Sequence, residues 1–405
     1  MRLKDFSVLN PQYKGENTDA EVSFVPMESL RNGTIDYQDI PFKEAKGKYT
    51  YFSDGDLLVA KVTPCFENGN IAIANKMKEG IGFGSSEIFV LRMDKKVLNT
   101  YMFYVTQSSK FQDGACATMC GVGGLKRISP LFMRTYELDI PSLSEQQLIV
   151  DYLDEKLSNI EKRIAILEKQ RNAYARLKKS IVHQAVTRGL NPNVPLKDSG
   201  IEWIGMIPEH WEGRRLKDFS VLNPRFTGQE KRKEVSFLPM EGLRYDSITL
   251  QSISFEEGKS KYTFFAEGDL LMAKVTPCFE NGNIAIATDL KEGIGFGSSE
   301  IFVLRLDRSV SSRYFFYYIQ APSFQDEACS TMCGVGGLKR ISPIFMRICA
   351  VFLPPLSEQQ AIANYLDEKC AKIDAAIDNI GKQIDALKRL KRALINEVIT
   401  GQRAI

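Results

Sequence analysis

The sequence predicts an α+β protein: two mainly-β domains related by pseudo-twofold symmetry and separated by an antiparallel pair of long coiled-coil helices. Two observations carry this prediction. A unit of 213 residues occurs twice, and each copy passes from short strand-like runs into one long stretch with an apolar seam. The expected division is residues 1–143 and 191–356 for the two β-rich domains, the second preceded by a linker, with helices over 144–190 and 357–405.

The repeat is nearly perfect in places. GDLLVAKVTPCFENGNIAIA, Gly55 to Ala74, returns as GDLLMAKVTPCFENGNIAIA, Gly268 to Ala287, identical at 19 of 20 positions. KEGIGFGSSEIFVLR returns unchanged from Lys291, and MCGVGGLKRISP from Met332. The same 213 residues separate Lys61 from Lys274 and Ser144 from Ser357. Solenoid repeats are far shorter, so each copy is a folded module of its own.

Within residues 1–143, EVSFVPM, YTYF, DLLVAKV, NIAIA and EIFVLRM are short β-branched or aromatic runs broken by Gly, Asn and Pro. They read as strands. One helix is expected to interrupt them from Asn99 to Gln112. LSEQQ then supplies a capping box, with Ser144 accepting from the amide of Gln147. Leu143 and Leu148 take the two staple positions. Leu153, Leu157, Ile160, Ile164, Leu167, Tyr174 and Ile181 follow as an a/d seam, stopped by Gly189. The second copy repeats the seam with Leu366, Cys370, Ile373, Ile377, Ile380, Ile384, Leu387 and Leu394, ending at Gly401. A helix of about 44 residues is roughly 65 Å long. Each copy has one such helix, so pairing the two with each other buries both stripes. Arg171, Lys178 and Lys391 stand at expected apolar positions. Either they snorkel, or they mark where another protein's helices complete the packing.

Bulk composition narrows the class. At 405 residues, 44% hydrophobic and 25% charged, the chain reads as a globular protein of more than one unit. Its 53 basic and 50 acidic residues nearly balance, which leaves room for a basic face opposite an acidic one. No apolar run has the length of a membrane span, and MRLKDFSVLN is not a signal peptide. Eight cysteines without secretory features point to reduced thiols and a cytoplasmic protein.

The GDLL strand, the turn before GNIAI, the glycine-rich turn before LKRIS, and IPSLSEQQLIVDYLDEK repeated as LPPLSEQQAIANYLDEK resemble type I restriction-modification specificity subunits. The resemblance covers essentially the whole chain, and four motifs in fixed order, given twice, make it specific. It implies target recognition domains that each read half of a split double-stranded DNA site, with the helices setting the separation. It also implies partners: two copies of a modification (methyltransferase) subunit, and motor-nuclease restriction subunits. S-adenosylmethionine, ATP and Mg²⁺ would be bound by those partners, with no cofactor, metal or catalytic residue in this chain. Two departures stand out. Ser142 is replaced by Pro355 in the second copy, and only that copy has a leader, DSGIEWIGMIPEHWEGRR, Asp198 to Arg215. Its Trp203, Ile204, Ile207 and Trp211 are expected to pack over a sheet edge. For the first copy, either the true start lies upstream or the domain tolerates a bare edge.

Side chains read bases through the donor and acceptor pattern of the major groove. Equal surfaces must therefore read equal half-sites. The blocks quoted above match almost throughout, whereas Leu153–Ile181 matches Leu366–Leu394 at only 12 of 29 positions. An inverted-repeat target, or nearly so, is expected. The turn KVTPCFENGN offers Lys61, Thr63, Glu67, Asn68 and Asn70, repeated as Lys274, Thr276, Glu280, Asn281 and Asn283. The alternative is that Asn68 and Asn70 only shape a turn. GVGGLKRIS offers backbone amides with Lys126 and Arg127, repeated as Lys339 and Arg340. Its alternative is a strand-to-helix turn with solvated basic residues. Ser85, Ser86, Arg31 and Arg244 are weaker candidates. RLKKS from Arg176 and KRLKR from Lys388 would either neutralise phosphates between half-sites or form an ordinary solvated helix face. The helix length corresponds to about 19 base pairs at about 3.4 Å each.

Other chemistry is disfavoured. Asn10-Pro11-Gln12-Tyr13 and Asn223-Pro224-Arg225-Phe226 are similar to the tetrad of adenine methyltransferases, with the wrong third residue. GIGFGSS leads into a strand rather than a cofactor-binding helix. Asp54, Asp56 and Lys61 lack the further carboxylate of a nuclease. His183 and His210 lie outside both recognition domains. Cys65, Cys116 and Cys120, like Cys278, Cys329 and Cys333, are one ligand short of structural zinc. A coiled-coil adaptor with no DNA role would explain the helices and leave the duplicated polar loops without a purpose.

Overall fold

The computed structural model describes residues 1–16, 19–121, 124–228, 233–334 and 337–405. Val122, Gly123, Val335 and Gly336 of the two GVGGLKRIS segments lie outside the described residues. The chain divides into two compact units, Met1–Glu168 with Gly381–Ile405, and Lys169–Ile380. Each unit therefore combines one β-rich copy with a portion of both long helices.

In the first unit, four antiparallel strands run in the order Ser7–Leu9, Ile88–Met93, Leu57–Ala60, Ile71–Ile73. The β-branched and leucine-rich runs form the two central strands because both their faces are covered. Leu57 to Ala60 and Ile88 to Leu91 are all buried. A second sheet runs Gln38–Pro41, Glu21–Val25, Gly82–Gly84, Thr50–Phe52, with a parallel pairing only between its two middle strands. The end of the glycine cluster, Gly82–Gly84, is thus itself a strand. Its glycines admit neighbouring rings: a Cβ on Gly82 would fall 2.2 Å from the Phe52 ring.

The second unit repeats both sheets. One runs Ser220–Leu222, Ile301–Leu306, Leu270–Ala273, Ile284–Ile286, and the other Gln251–Ser254, Glu234–Leu238, Ile294–Gly297, Thr263–Ala266. The single helix expected over Asn99–Gln112 is instead two, Asn99–Gln107 and Ser109–Ala117. Ser108 takes an extended conformation between them and caps the second by accepting from the Phe111 amide.

The long helices span Leu143–Arg188 and Leu356–Ile399. The capping expectation is corrected at the first. Ser142, not Ser144, forms the box: its hydroxyl accepts from the Glu145 amide at 3.3 Å, and Glu145 accepts from the Ser142 amide at 2.8 Å. The staple is also absent, since Leu143 and Leu148 are 47% and 63% exposed. Most seam residues bury, while Ile164, Leu167, Tyr174, Ile181 and Ile377 are half-buried. Leu153, Leu157 and Ile160 share the first unit's core with Leu387, Leu394, Ile395 and Val398. Val182, Ala185 and Val186 share the second unit's core with Ile362, Leu366 and Cys370. In the second unit the helices run antiparallel: Lys178 meets Asp374, and a Cβ at Gly189 would lie 2.9 Å from Glu358.

Buried glutamines fasten helix to domain. Gln146 accepts from the Leu98 amide at 2.8 Å and donates to the carbonyls of Lys96 and Pro141. Gln359 repeats this with Ser311, Ser309 and Pro354. In the second unit the leader adds a strand, Glu212–Arg215, paired antiparallel with Ala350–Leu353. Its Trp211 is buried in the core beside Val182 and Val186. Pro355 has no hydroxyl to offer, and Glu358 instead accepts from the Trp211 indole at 3.3 Å and pairs with His210 at 2.7 Å.

Candidate nucleic-acid interface

The two loops singled out in each copy meet. In the first unit the Thr63 hydroxyl donates to the Gly124 carbonyl at 2.9 Å and accepts from the Lys126 amide at 3.0 Å. The Thr63 amide donates to the Lys126 carbonyl, and Val62 bridges to Arg127. A hydroxyl is needed here because it supplies a donor and an acceptor at one point. The second unit repeats the pattern, with Thr276 joined to Gly337 and Lys339 at 3.0 Å each. Thr63 and Thr276 therefore hold the interface together, and their hydroxyls are already engaged.

Lys61 leaves the strand end half-buried, with its ammonium 5.4 Å above the Phe89 ring; Lys274 sits 5.5 Å above Phe302. Arg127 grips Glu87 through two bonds of 2.9 Å, and Arg340 grips Glu300 at 2.9 and 2.8 Å. The Arg127 guanidinium holds the Glu87 carboxyl below its ordinary value against the opposing effect of burial, with Lys61 adding to the lowering. Glu300 is lowered in the same way by Arg340. Glu87 and Glu300 were not among the sequence candidates. Both lie within the unchanged GIGFGSSE block, and only the fold brings them to the arginines. Lys126 and Lys339 are exposed.

The turn tip presents Glu67 and Asn68, and in the second copy Glu280 and Asn281, all exposed. Asn70 and Asn283 are buried, 7% and 9% exposed. Their backbones close the turn, the Asn70 amide donating to Cys65 and its carbonyl accepting from Ala60. These two asparagines shape the turn. Ser85 and Ser86 stand apart from this contact, and Ser85 hydrogen-bonds its own segment at Glu87. The Arg31 and Arg244 side chains donate to the carbonyls of Leu30 and Leu243.

The tetrad asparagine has a structural task. Asn10 Oδ1 accepts from the Val90 amide at 3.0 Å, and Asn223 does the same for Val303. Asp56 is 3% exposed at its side chain and paired with Arg92. Among the described residues no group of three or more His, Cys, Asp or Glu is placed to hold a metal ion. No helix among them is long and apolar enough to cross a membrane.

The model of the type I restriction modification DNA specificity domain matches residues 6–173 and 208–389. The chain belongs to this family. DNA-target recognition is the family's general role, and in these systems catalysis lies in partner subunits. The type I restriction enzyme EcoEI specificity subunit of Escherichia coli is 31% identical over 202 residues, 49% of this chain and 34% of that protein. The EcoAI specificity subunit, also of Escherichia coli, is 30% identical over 200 residues, again 34% of its length. The matched region thus spans about a third of these two relatives. The EcoKI specificity subunit of Escherichia coli (strain K12) is 20% identical over 400 residues, 95% of this chain and 83% of that protein. Among solved structures, one from work on complex assembly and conformational transition of the type I R-M system has a TM-score of 0.76. It is 16% identical and covers 98% of this chain and 96% of its own. The HsdS subunit from Thermoanaerobacter tengcongensis has a TM-score of 0.54 at 16% identity, covering 100% of this chain and 96% of that one. At such identities the likeness is one of fold.

Proposed function

We propose that this chain is a non-catalytic specificity subunit that reads a bipartite, inverted-repeat DNA target. In this reading each copy presents Glu67 and Asn68, or Glu280 and Asn281, to base edges. Lys126 and Lys339, with backbone amides of the glycine-rich loops, hold phosphates. Arg127 and Arg340 sit beside them, partly neutralised by their glutamates. Lys61 and Lys274 add charge behind the turn. Thr63, Asn70, Thr276 and Asn283 contribute by fixing the loops. The paired helices set the spacing between half-sites.

The observation that carries the reading is the sameness of the two loop junctions. At each junction two candidate side chains, Thr63 and Arg127 or Thr276 and Arg340, make the same four hydrogen bonds at distances equal within 0.1 Å. Family membership supports the partners: two modification subunits and restriction subunits, which would bind S-adenosylmethionine, ATP and Mg²⁺. Mapping methylated bases in the host genome tests it. An inverted repeat that loses its methylation when this gene is deleted is expected; two unrelated half-sites would contradict equal reading surfaces.

A further inference from the structure

The two copies differ where the first turn tip meets the second long helix. Asn32, Asn68 and Gln107 line a cleft of about 390 Å³ together with Lys388, Lys391 and Arg392. Gln107 Nε2 is buried there with no hydrogen-bond partner among the described residues. A buried amide donor is normally satisfied, so an unpaired one in a side chain that lines the cleft calls for an acceptor.

The second copy closes the same place. Tyr245 stands where the first copy has Asn32, its ring 5.6 Å from Phe316 and 4.3 Å beneath the Lys178 ammonium. Gln320, the counterpart of Gln107, donates to the Gly282 carbonyl at 3.2 Å. Ala175 stands where the first copy has Lys388. Among the described residues, the two turns are thus of one kind, while Asn32, Gln107 and Lys388 beside the first differ in identity or pairing from Tyr245, Gln320 and Ala175 beside the second.

Resting on the DNA-reading function proposed above, we infer that this cleft seats one DNA backbone phosphate, a contact the first copy makes and the second does not. Asn and Gln amides, lysine and arginine are among the side chains that hydrogen-bond phosphates in such interfaces. Lys391 is engaged with Glu161 at 2.6 Å, which leaves Lys388 and Arg392, one helical turn apart, to supply the charge. Glu67 and Asp113 also line the cleft. Their carboxylates oppose a free anion, so the seat suits a phosphate that a bound duplex delivers rather than one from solution. A phosphate carries no base identity, so the half-sites stay alike while the grip on them becomes unequal.

The test uses the full-length chain and a duplex carrying its selected target, with affinity measured from 50 to 200 mM salt. Asn32→Tyr imports the residue of the other copy without changing charge. It is expected to lower the slope of log affinity against log salt by about 0.9, the release of one phosphate contact. Gln107→Leu gives a second reading that does not depend on that substitution: a raised melting temperature with the same lowered slope. Tyr245→Asn in the second copy is expected to leave the slope unchanged. Wild-type slopes in both first-copy variants would overturn the phosphate seat while leaving sequence selection intact. Loss of sequence preference in the wild-type chain would instead overturn the DNA-reading function.

Discussion

Lys178 donates to both carboxylate oxygens of Asp374, at 2.8 and 2.7 Å, joining the first long helix to the second. The residues 213 positions away repeat the tie in the other unit, where Lys391 meets Glu161 at 2.6 Å. Two of the three charged interruptions of the apolar seam are therefore interhelical ion pairs. Lys178 also lies over the Tyr245 ring. Asp374→Ala is expected to destabilise the second unit by about 1 kcal/mol, a modest value because the carboxylate is half exposed. Urea unfolding of the full chain, in a double-mutant cycle with Lys178→Met, measures it. Glu161→Ala should cost less, since among the described residues no aromatic ring lies beneath Lys391 as Tyr245 lies beneath Lys178.

The glutamine that fastens helix to domain should matter more. Gln146 is 0% exposed and satisfies one amide and two carbonyls. Replacing it with leucine strands all three groups. Lys96 is exposed and Leu98 and Pro141 are half-buried, so water satisfies part of what is freed and a loss of about 1–3 kcal/mol follows. Thermal unfolding of Gln146→Leu and Gln359→Leu should show the effect in the corresponding unit.

Asp56 and Asp269 make a complementary prediction. Each side chain is 3% exposed and paired with an arginine, Arg92 or Arg305. Arg92 and Arg305 keep 36% and 38% side-chain exposure, so removing the carboxylate costs less than the about 3–5 kcal/mol of a fully buried pair. Asp56→Ala is expected to unfold the first unit early. Calorimetry that found it neutral would show that solvent reaches the arginine and relieves the loss.

The Glu87–Arg127 fork predicts a pH dependence. The folded carboxyl titrates below its ordinary value of 4.5. Its contribution is fully present above that value and is lost as pH falls through the lower, folded-state value. Stability of wild type and Glu87→Gln measured from pH 7 down to 3 should therefore converge at the acid end. At neutral pH, Glu87→Gln also removes a negative charge beside Arg127 and Lys61, so nonspecific DNA affinity and its salt dependence should both rise.

Much of this architecture was legible because its signals are local. The exact repeat, the β-branched runs and the leucine seam each act within a few residues. The capping box was misplaced by two residues, since LSEQQ offers a serine at the standard spacing while Ser142 precedes it unannounced. Gln146 carries no local signal of its task. Its true role depends on Leu98 and Lys96, about fifty residues away. The change from Ser142 to Pro355 leaves Glu358 to receive the leader's Trp211 and His210. At the interface, polar turns identified the loops, but not that Thr63 would be engaged, Asn70 buried, or Arg127 matched by Glu87. Those outcomes follow from tertiary pairing, which no spacing along the chain records.

Selection of the full-length chain, with the subunits that co-purify with it, against duplexes of random sequence tests most directly whether two like surfaces read one half-site twice. Enriched duplexes should carry the same short motif in opposite orientations at a single spacing. Enrichment of two different motifs, with the loop junctions intact, would contradict the account.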